Sequence, residues 1–234
     1  MFEQELEHVR KISTESGCFS WTSPDYQRDI LGFLIEYREH GAGVIEVGCY
    51  KGGLTAQIGL ICRKFGWPLW TMDINQASLE TAADLLRKLG LDSGVTFHLG
   101  PLDHFVQHVK VAGKPVLIIL DGDHQYDAVV KDILSLYRLA VIPYAAAFHD
   151  FSLRHPTSGE KVSQSVKDCF GSLPVRHIGA RMDGTGPYPT KEKPSEDGHW
   201  WEIPGSEGAI VSLPAKLGIR ARAMRALRLP ALRR

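Results

Sequence analysis

The apolar positions of this chain change period at residue 44. Before it the spacing is helical: Ser23-Pro24-Asp25 reads as N-cap, N1 and N2 of a helix whose apolar face carries Ile30, Leu31, Phe33, Leu34 and Tyr37. From residue 44 onward, short apolar runs alternate with stretches of 3.6-residue spacing. The runs at 44–47, 69–72, 95–99, 116–120 and 145–149 predict strands, and the spacing over about 53–65, 76–89, 102–110, 125–139 and 160–171 predicts helices. Such alternation is the signature of an α/β fold, a doubly wound parallel sheet covered by helices on both faces. Residues 174–178 and 208–213 offer two last strands. The expected organisation is a helical leader or lid over 1–40, one domain over 41–215 and a basic tail over 216–234.

The first strand, Val44-Ile45-Glu46-Val47, runs into Gly48-Cys49-Tyr50-Lys51-Gly52-Gly53. Glycines at a strand-to-helix turn let the backbone approach a ligand where a Cβ would intrude. The second strand ends in Asp73, placed to accept hydrogen bonds from two ribose hydroxyls. A dinucleotide fingerprint needs G-x-G-x-x-G, and Tyr50 stands where its second glycine belongs.

This E-x-G-x-x-x-G pattern resembles motif I of the class I S-adenosylmethionine-dependent methyltransferases, and the resemblance covers roughly residues 40–215. It implies a Rossmann-like, mostly parallel sheet with one antiparallel strand near the C-terminus, inserted beside its predecessor. It further implies S-adenosylmethionine as cofactor, with Glu46 and Gly48 near the methionine end, Tyr50 and Lys51 in the loop, Asp73 at the ribose, and Ile74 and Leu102 bracketing the adenine.

A second constellation follows strands four and five, which end in Asp121-Gly122-Asp123-His124-Gln125-Tyr126 and His149-Asp150. Both ends project to the sheet edge where ligands of open parallel sheets bind, so Asp121, Asp123, His124, His149 and Asp150 are expected to converge beside Gly48. Converging carboxylates repel unless a cation sits among them, and a hard divalent ion is the simplest candidate. An ion of this kind acidifies a bound alcohol, and a neutral imidazole can take the proton. Asp123 reads equally as a helix cap, and Tyr126 as a substrate contact or a packing residue. His98, His104 and His108 read as structural, whereas Arg154 and His155 follow strand five closely enough to contact a polar substrate.

The Asp-Gly-Asp-His-x-Tyr stretch with the later His-Asp pair resembles the metal-dependent O-methyltransferases that modify sugar hydroxyls in natural products and polysaccharides. That resemblance implies Asp121 and Asp150 as metal ligands, with Asp121 also beside the cofactor, and His124 as base. His149 departs from relatives that carry a carboxylate there. It is either a nitrogen ligand, which favours Mn2+ over Mg2+, or a second base candidate with Mg2+ held by the two aspartates. The acceptor implied is a sugar or related small polyol. A catechol or phenol acceptor, a metal-dependent hydroxylase-like protein and a non-catalytic binding protein are the alternatives.

Composition narrows this picture only by exclusion. Lys plus Arg and Asp plus Glu both count 27, so no global field points to nucleic acid. The 4 cysteines form no C-x-x-C pair, which suits a reducing cytoplasm and packing roles. No apolar run approaches the roughly 18 residues of a membrane span, and the acidic start lacks the features of a signal peptide. Phe19 and Trp21 are expected to anchor the leader to the core, the alternative being a lid. Residues 181–198 read as a long surface loop, and residues 14–22 and 181–201 as the segments that set the acceptor. The pair Trp200 and Trp201 reads as a core or homodimer contact.

Overall fold

The structure is a computed structural model that describes residues 2–154, 162–179, 193–194, 201–202 and 205–217. The leader is two helices, α1 (Glu3–Glu15) and α2 (Pro24–Glu36). α2 starts as its sequence dictates. Pro24 occupies the first turn, where its missing N–H costs nothing, and Ser23 Oγ accepts the Tyr26 N–H at 3.1 Å.

Then follow β1 (Val44–Val47), α3 (Gly53–Phe65), β2 (Leu69–Asp73), α4 (Gln76–Lys88), β3 (Val95–Leu99), α5 (Leu102–His108), β4 (Leu117–Leu120), α6 (Tyr126–Leu136) and β5 (Ala145–Phe148). The later elements are β6 (Leu153–Arg154), α7 (Val162–Phe170), β7 (Val175–Ile178), β8 (Lys193–Pro194), β9 (Trp201–Glu202) and β10 (Gly208–Ser212). α6 stops three residues short of its predicted end because Arg138 and Leu139 donate to the carbonyls of Ser135 and Leu136, tightening the last turn.

The main sheet has the order β3-β2-β1-β4-β5-β10-β7. Only β10 runs against its neighbours, between β5 and β7, which is the inserted antiparallel strand expected near the C-terminus. Alternation along the strands sorts the core into two layers. Val44, Leu69, Leu117, Ile119, Ala145 and Ala147 face α1–α4, whereas Ile45, Val47, Trp70, Met72, Ile118, Leu120, Ala146 and Phe148 face α5–α7. A second sheet, β6-β9-β8, is antiparallel and was not expected, because strands of two residues carry no alternation to read. It takes Lys193–Pro194 from the segment expected to be all loop. The rest of 181–198, His155, Trp200 and the tail from 218 onward lie outside the described residues.

The strand order reverses between β1 and β4, which makes their carboxyl ends the switch-point crevice of the sheet. There Asp121 N–H donates to Val47 O at 2.9 Å. A Cβ on Gly48 would lie 2.0 Å from the Asp121 carbonyl oxygen, and its φ of +87° is one that L side chains avoid. Gly48→Ala is therefore expected to destabilise the fold by about 2 kcal/mol or more. Urea unfolding measures this, and an unchanged midpoint would show that β1 and β4 can part at no cost.

Candidate active site

The glycine turn is held from below by β2. Gly48 and Cys49 N–H groups both donate to Met72 O, at 2.9 and 3.2 Å. Tyr50 takes a φ of 46°, unusual for an aromatic residue, and its N–H donates to Asp73 Oδ2 at 2.9 Å. Asp73 Oδ1 accepts the Asn75 N–H at 2.9 Å. An ionised carboxylate offers about four acceptor sites, so Asp73 holds the loop and keeps capacity for ribose hydroxyls.

Glu46 lies behind the turn rather than in it. It is buried, and its Oε2 accepts the Thr71 hydroxyl at 2.7 Å. Burial, opposed by the hydrogen bond from Thr71, raises its carboxyl from 4.5 to about 7. Of the two residues expected to bracket a ring, Ile74 is 77% exposed at the rim. Leu102 instead is fully buried in the core with Phe105, because it opens α5 with its side chain turned to the sheet.

Phe19 and Trp21 correct a second expectation. Trp21 is 70% exposed and does not anchor the leader to the core. A Cβ on Gly53 would lie 2.6 Å from the backbone of Phe19 and Ser20, so the leader passes directly over the start of α3. This sets Phe19 5.4 Å from Trp21 and 5.6 Å from Tyr50 between ring centroids, with Lys51 Nζ 4.9 Å from the Phe19 centroid. The result is an aromatic rim beside the glycine turn.

Four of the five acidic and histidine residues expected at this edge converge, Asp123 being the exception. His149 Nδ1 lies 2.7 Å from Asp121 Oδ1 and 3.4 Å from Asp150 Oδ2, and His124 Nε2 lies 3.0 Å from the same Asp150 oxygen. Asp150, like Tyr50, holds a positive φ, 51°. Among the described residues these two are the only non-glycines that do so, and both flank the crevice. Asp123 Oδ1 accepts the Gln125 N–H at 2.8 Å, an Asx turn ahead of α6, and Tyr126 hydroxyl donates to Asp168 at 2.8 Å, a packing role. His98, His104 and His108 bond and stack among themselves on β3 and α5 and do not join the cluster.

Glu207, unforeseen in the sequence, closes the far side. It is buried, and its Oε1 accepts His149 Nε2–H at 3.2 Å and Ser23 N–H at 2.6 Å, while Oε2 accepts the Ser23 hydroxyl. Its one sequence signal is its place as the last acid before an apolar strand; nothing in a separation of 58 residues points to His149. Tyr26 packs edge-on against the His149 ring at 5.0 Å. Burial opposes charge on His149, but Asp121, Asp150 and Glu207 outweigh it and hold the imidazole well above its ordinary range.

Asp121, His124 and His149 each present a ligand atom, all within 4.8 Å of one another. His149 Nδ1 is buried and, despite its 2.7 Å approach to Asp121, lacks hydrogen-bond alignment with it. A cation between the two atoms would satisfy both, so the residues fit a divalent ion. Imidazole nitrogens beside a carboxylate suit Mn2+ or another transition ion better than Mg2+.

Residues 45–151 match the family described as a methyltransferase domain. No curated protein matches the sequence. Among solved structures, the O-methyltransferase from Bacillus cereus in complex with S-adenosylhomocysteine is 14% identical with a TM-score of 0.57, over 89% of this chain and 90% of that one. Cofactor-bound Rv0187 from MTB is 17% identical with a TM-score of 0.58, over 88% of each chain. TomG from Streptomyces achromogenes, involved in tomaymycin synthesis and in complex with S-adenosylmethionine, is 12% identical with a TM-score of 0.52, over 89% of each chain. These likenesses are of fold. The family match over β1 to β5 and the geometry of the glycine turn agree with the fold of a class I methyltransferase. Together these findings support an S-adenosylmethionine-dependent methyltransferase.

The raised Glu46 carboxyl makes stability depend on pH. Because its folded value of about 7 exceeds the 4.5 of the free side chain, the native state holds a proton that the unfolded state releases. Its contribution is complete below pH 4.5 and is lost as pH rises toward 7. Glu46→Gln, which keeps an acceptor for Thr71, is expected to match the parent near pH 4.5 and to exceed it at pH 8 by up to about 3 kcal/mol. Unfolding at the two pH values checks this, and a difference independent of pH would contradict it.

Proposed function

We propose that the protein is a divalent-metal-assisted O-methyltransferase that moves the methyl group of S-adenosylmethionine to a hydroxyl of a sugar or related small polyol. The observation that carries the reading is the convergence of Asp121, His124, His149 and Asp150 at the strand ends adjoining the Gly48 turn. On this reading Asp73 receives the ribose, and Gly48, Tyr50 and Lys51 enclose the methionine end, with Glu46 supporting the turn from behind. Ile74 covers the adenine from the rim. A chain whose cysteines are all buried and unpaired suits the cytoplasm.

Exposure supports different roles for the two histidines. The His149 side chain is 6% exposed and enclosed by carboxylates, whereas that of His124 is 23% exposed and paired with Asp150. Accordingly Asp121, Asp150 and His149 Nδ1 would hold the ion, and His124 would accept the proton of the acceptor hydroxyl. A bound divalent ion supplies acidification and orientation of that hydroxyl. In the transfer the acceptor oxygen forms a bond to the methyl carbon as the carbon–sulfur bond breaks in line, and the hydroxyl proton passes to His124. The rim of exposed Phe19 and Trp21 with half-buried Tyr50 offers apolar faces on which the ring of the acceptor can lie.

One observation favours a second reading. Two imidazoles and one carboxylate form the donor set of non-haem iron oxygenases, so oxygen uptake with Fe2+ and any acceptor would displace the proposal.

Asp121→Ala is expected to lower methyl transfer by about 100-fold or more while calorimetric affinity for S-adenosylhomocysteine stays within about threefold. The assay compares free hexoses with a catechol, each with Mn2+, with Mg2+ and after chelation. Full turnover of the variant removes the metal role, and transfer to the catechol alone removes the sugar acceptor. Trp21→Ala is expected to raise the acceptor KM by about tenfold with cofactor affinity unchanged, and a fall in kcat at constant KM would place Trp21 elsewhere in the cycle.

A further inference from the structure

We propose that Glu207 is the positioning residue that fixes which nitrogen of His149 faces the ion, and that through it the leader helix α2 is tied to the metal cluster. This rests on the metal-assisted reading above.

The pocket for Glu207 is built. Its carboxylate is buried and receives three donors, His149 Nε2–H and both the N–H and the hydroxyl of Ser23. A carboxylate removed from water needs such partners to offset its lost hydration. Gly179, at a φ of +77°, clears the space: a Cβ there would lie 2.7 Å from both Glu207 Cβ and Oε2. Gly208 does the same for the ring of Tyr26, where a Cβ would lie 2.3 Å from Cε2. Tyr26 in turn meets the His149 ring edge-on, so the imidazole is confined by a ring, by Glu207 at Nε2, and by Asp121 and Asp150 at Nδ1.

An ionised carboxylate only accepts, so the nitrogen facing Glu207 must carry a proton. A neutral imidazole has one lone pair for a metal, and with Nε2 protonated that lone pair is on Nδ1, the atom beside Asp121 that lacks an aligned hydrogen bond. Ser23 is the N-cap of α2, so the carboxylate that sets this tautomer also receives the start of the leader. The start of α2 and the ligand that follows β5 thereby share one carboxylate.

Mn2+ titration of the full chain tests the proposal, read by calorimetry and by the electron paramagnetic resonance of free Mn2+. Glu207→Ala is expected to weaken Mn2+ binding by about 10- to 100-fold. Glu207→Gln, whose carbonyl still accepts Nε2–H and whose amide can donate to Ser23 Oγ, is expected to stay within about threefold of the parent. S-adenosylhomocysteine affinity should be unchanged in both, which a general loosening of the fold would not allow. Retention of Mn2+ affinity in the alanine variant, or equal loss in the glutamine variant, overturns the role of Glu207 alone. Failure of the parent to bind Mn2+ overturns the metal-assisted reading with it. A measurement free of variants is imidazole nitrogen NMR of the Zn2+-loaded parent chain: His149 protonated at Nε2 with Nδ1 metal-shifted supports the proposal, and the reverse assignment sinks it.

Discussion

Just beyond the paired ends of β1 and β4, Gly48 lies against the Asp121 carbonyl with no room for a side chain. Both halves of the site depend on that contact. The glycine turn leaves the sheet on one side of it and the acidic loop on the other, so a ligand bound to the turn necessarily reaches the aspartates. The topology makes the approach possible, since the strand order reverses between these two strands and the crossover helices leave in opposite directions.

Around this point the molecule accepts costs that it avoids elsewhere. Two non-glycine residues hold positive φ, and several carboxylates crowd one imidazole. Burying such charges is unfavourable unless they compensate one another, and here His149 stands between Asp121 and Asp150 on one edge and Glu207 on the other. The leader contributes as well, because Ser23 and Tyr26 close the cluster from above. What reads in sequence as a helical preface is therefore a wall of the site.

Much of this was legible from local pattern. The strands and helices of the β1–β5 region followed from period and turn chemistry, with α3 starting and stopping at the predicted residues and α6 shortened only by its last turn. The convergence of Asp121, His124, His149 and Asp150 followed from their places just beyond strand ends, because parallel strands bring all their carboxyl ends to one edge. Leu102 was misjudged because an apolar residue opening a helix can face ligand or core, and only the packing of α5 on the sheet decides between them. Phe19 and Trp21 were misjudged for the opposite reason: aromatic side chains are expected inside, yet the close pass of the leader over Gly53 holds these two at the surface.

The sequence by itself determined the order and type of the elements, the glycine turn and the edge at which the chemistry gathers, since each of these depends on neighbours a few residues apart. The tertiary structure alone decided that Glu207 and Ser23, separated by 184 residues, share a hydrogen bond, and that the same carboxylate meets His149. The reason is physical. β10 enters between β5 and β7 against their direction, so its first residues arrive at the carboxyl ends of the parallel strands, and no local period records where a strand will be inserted.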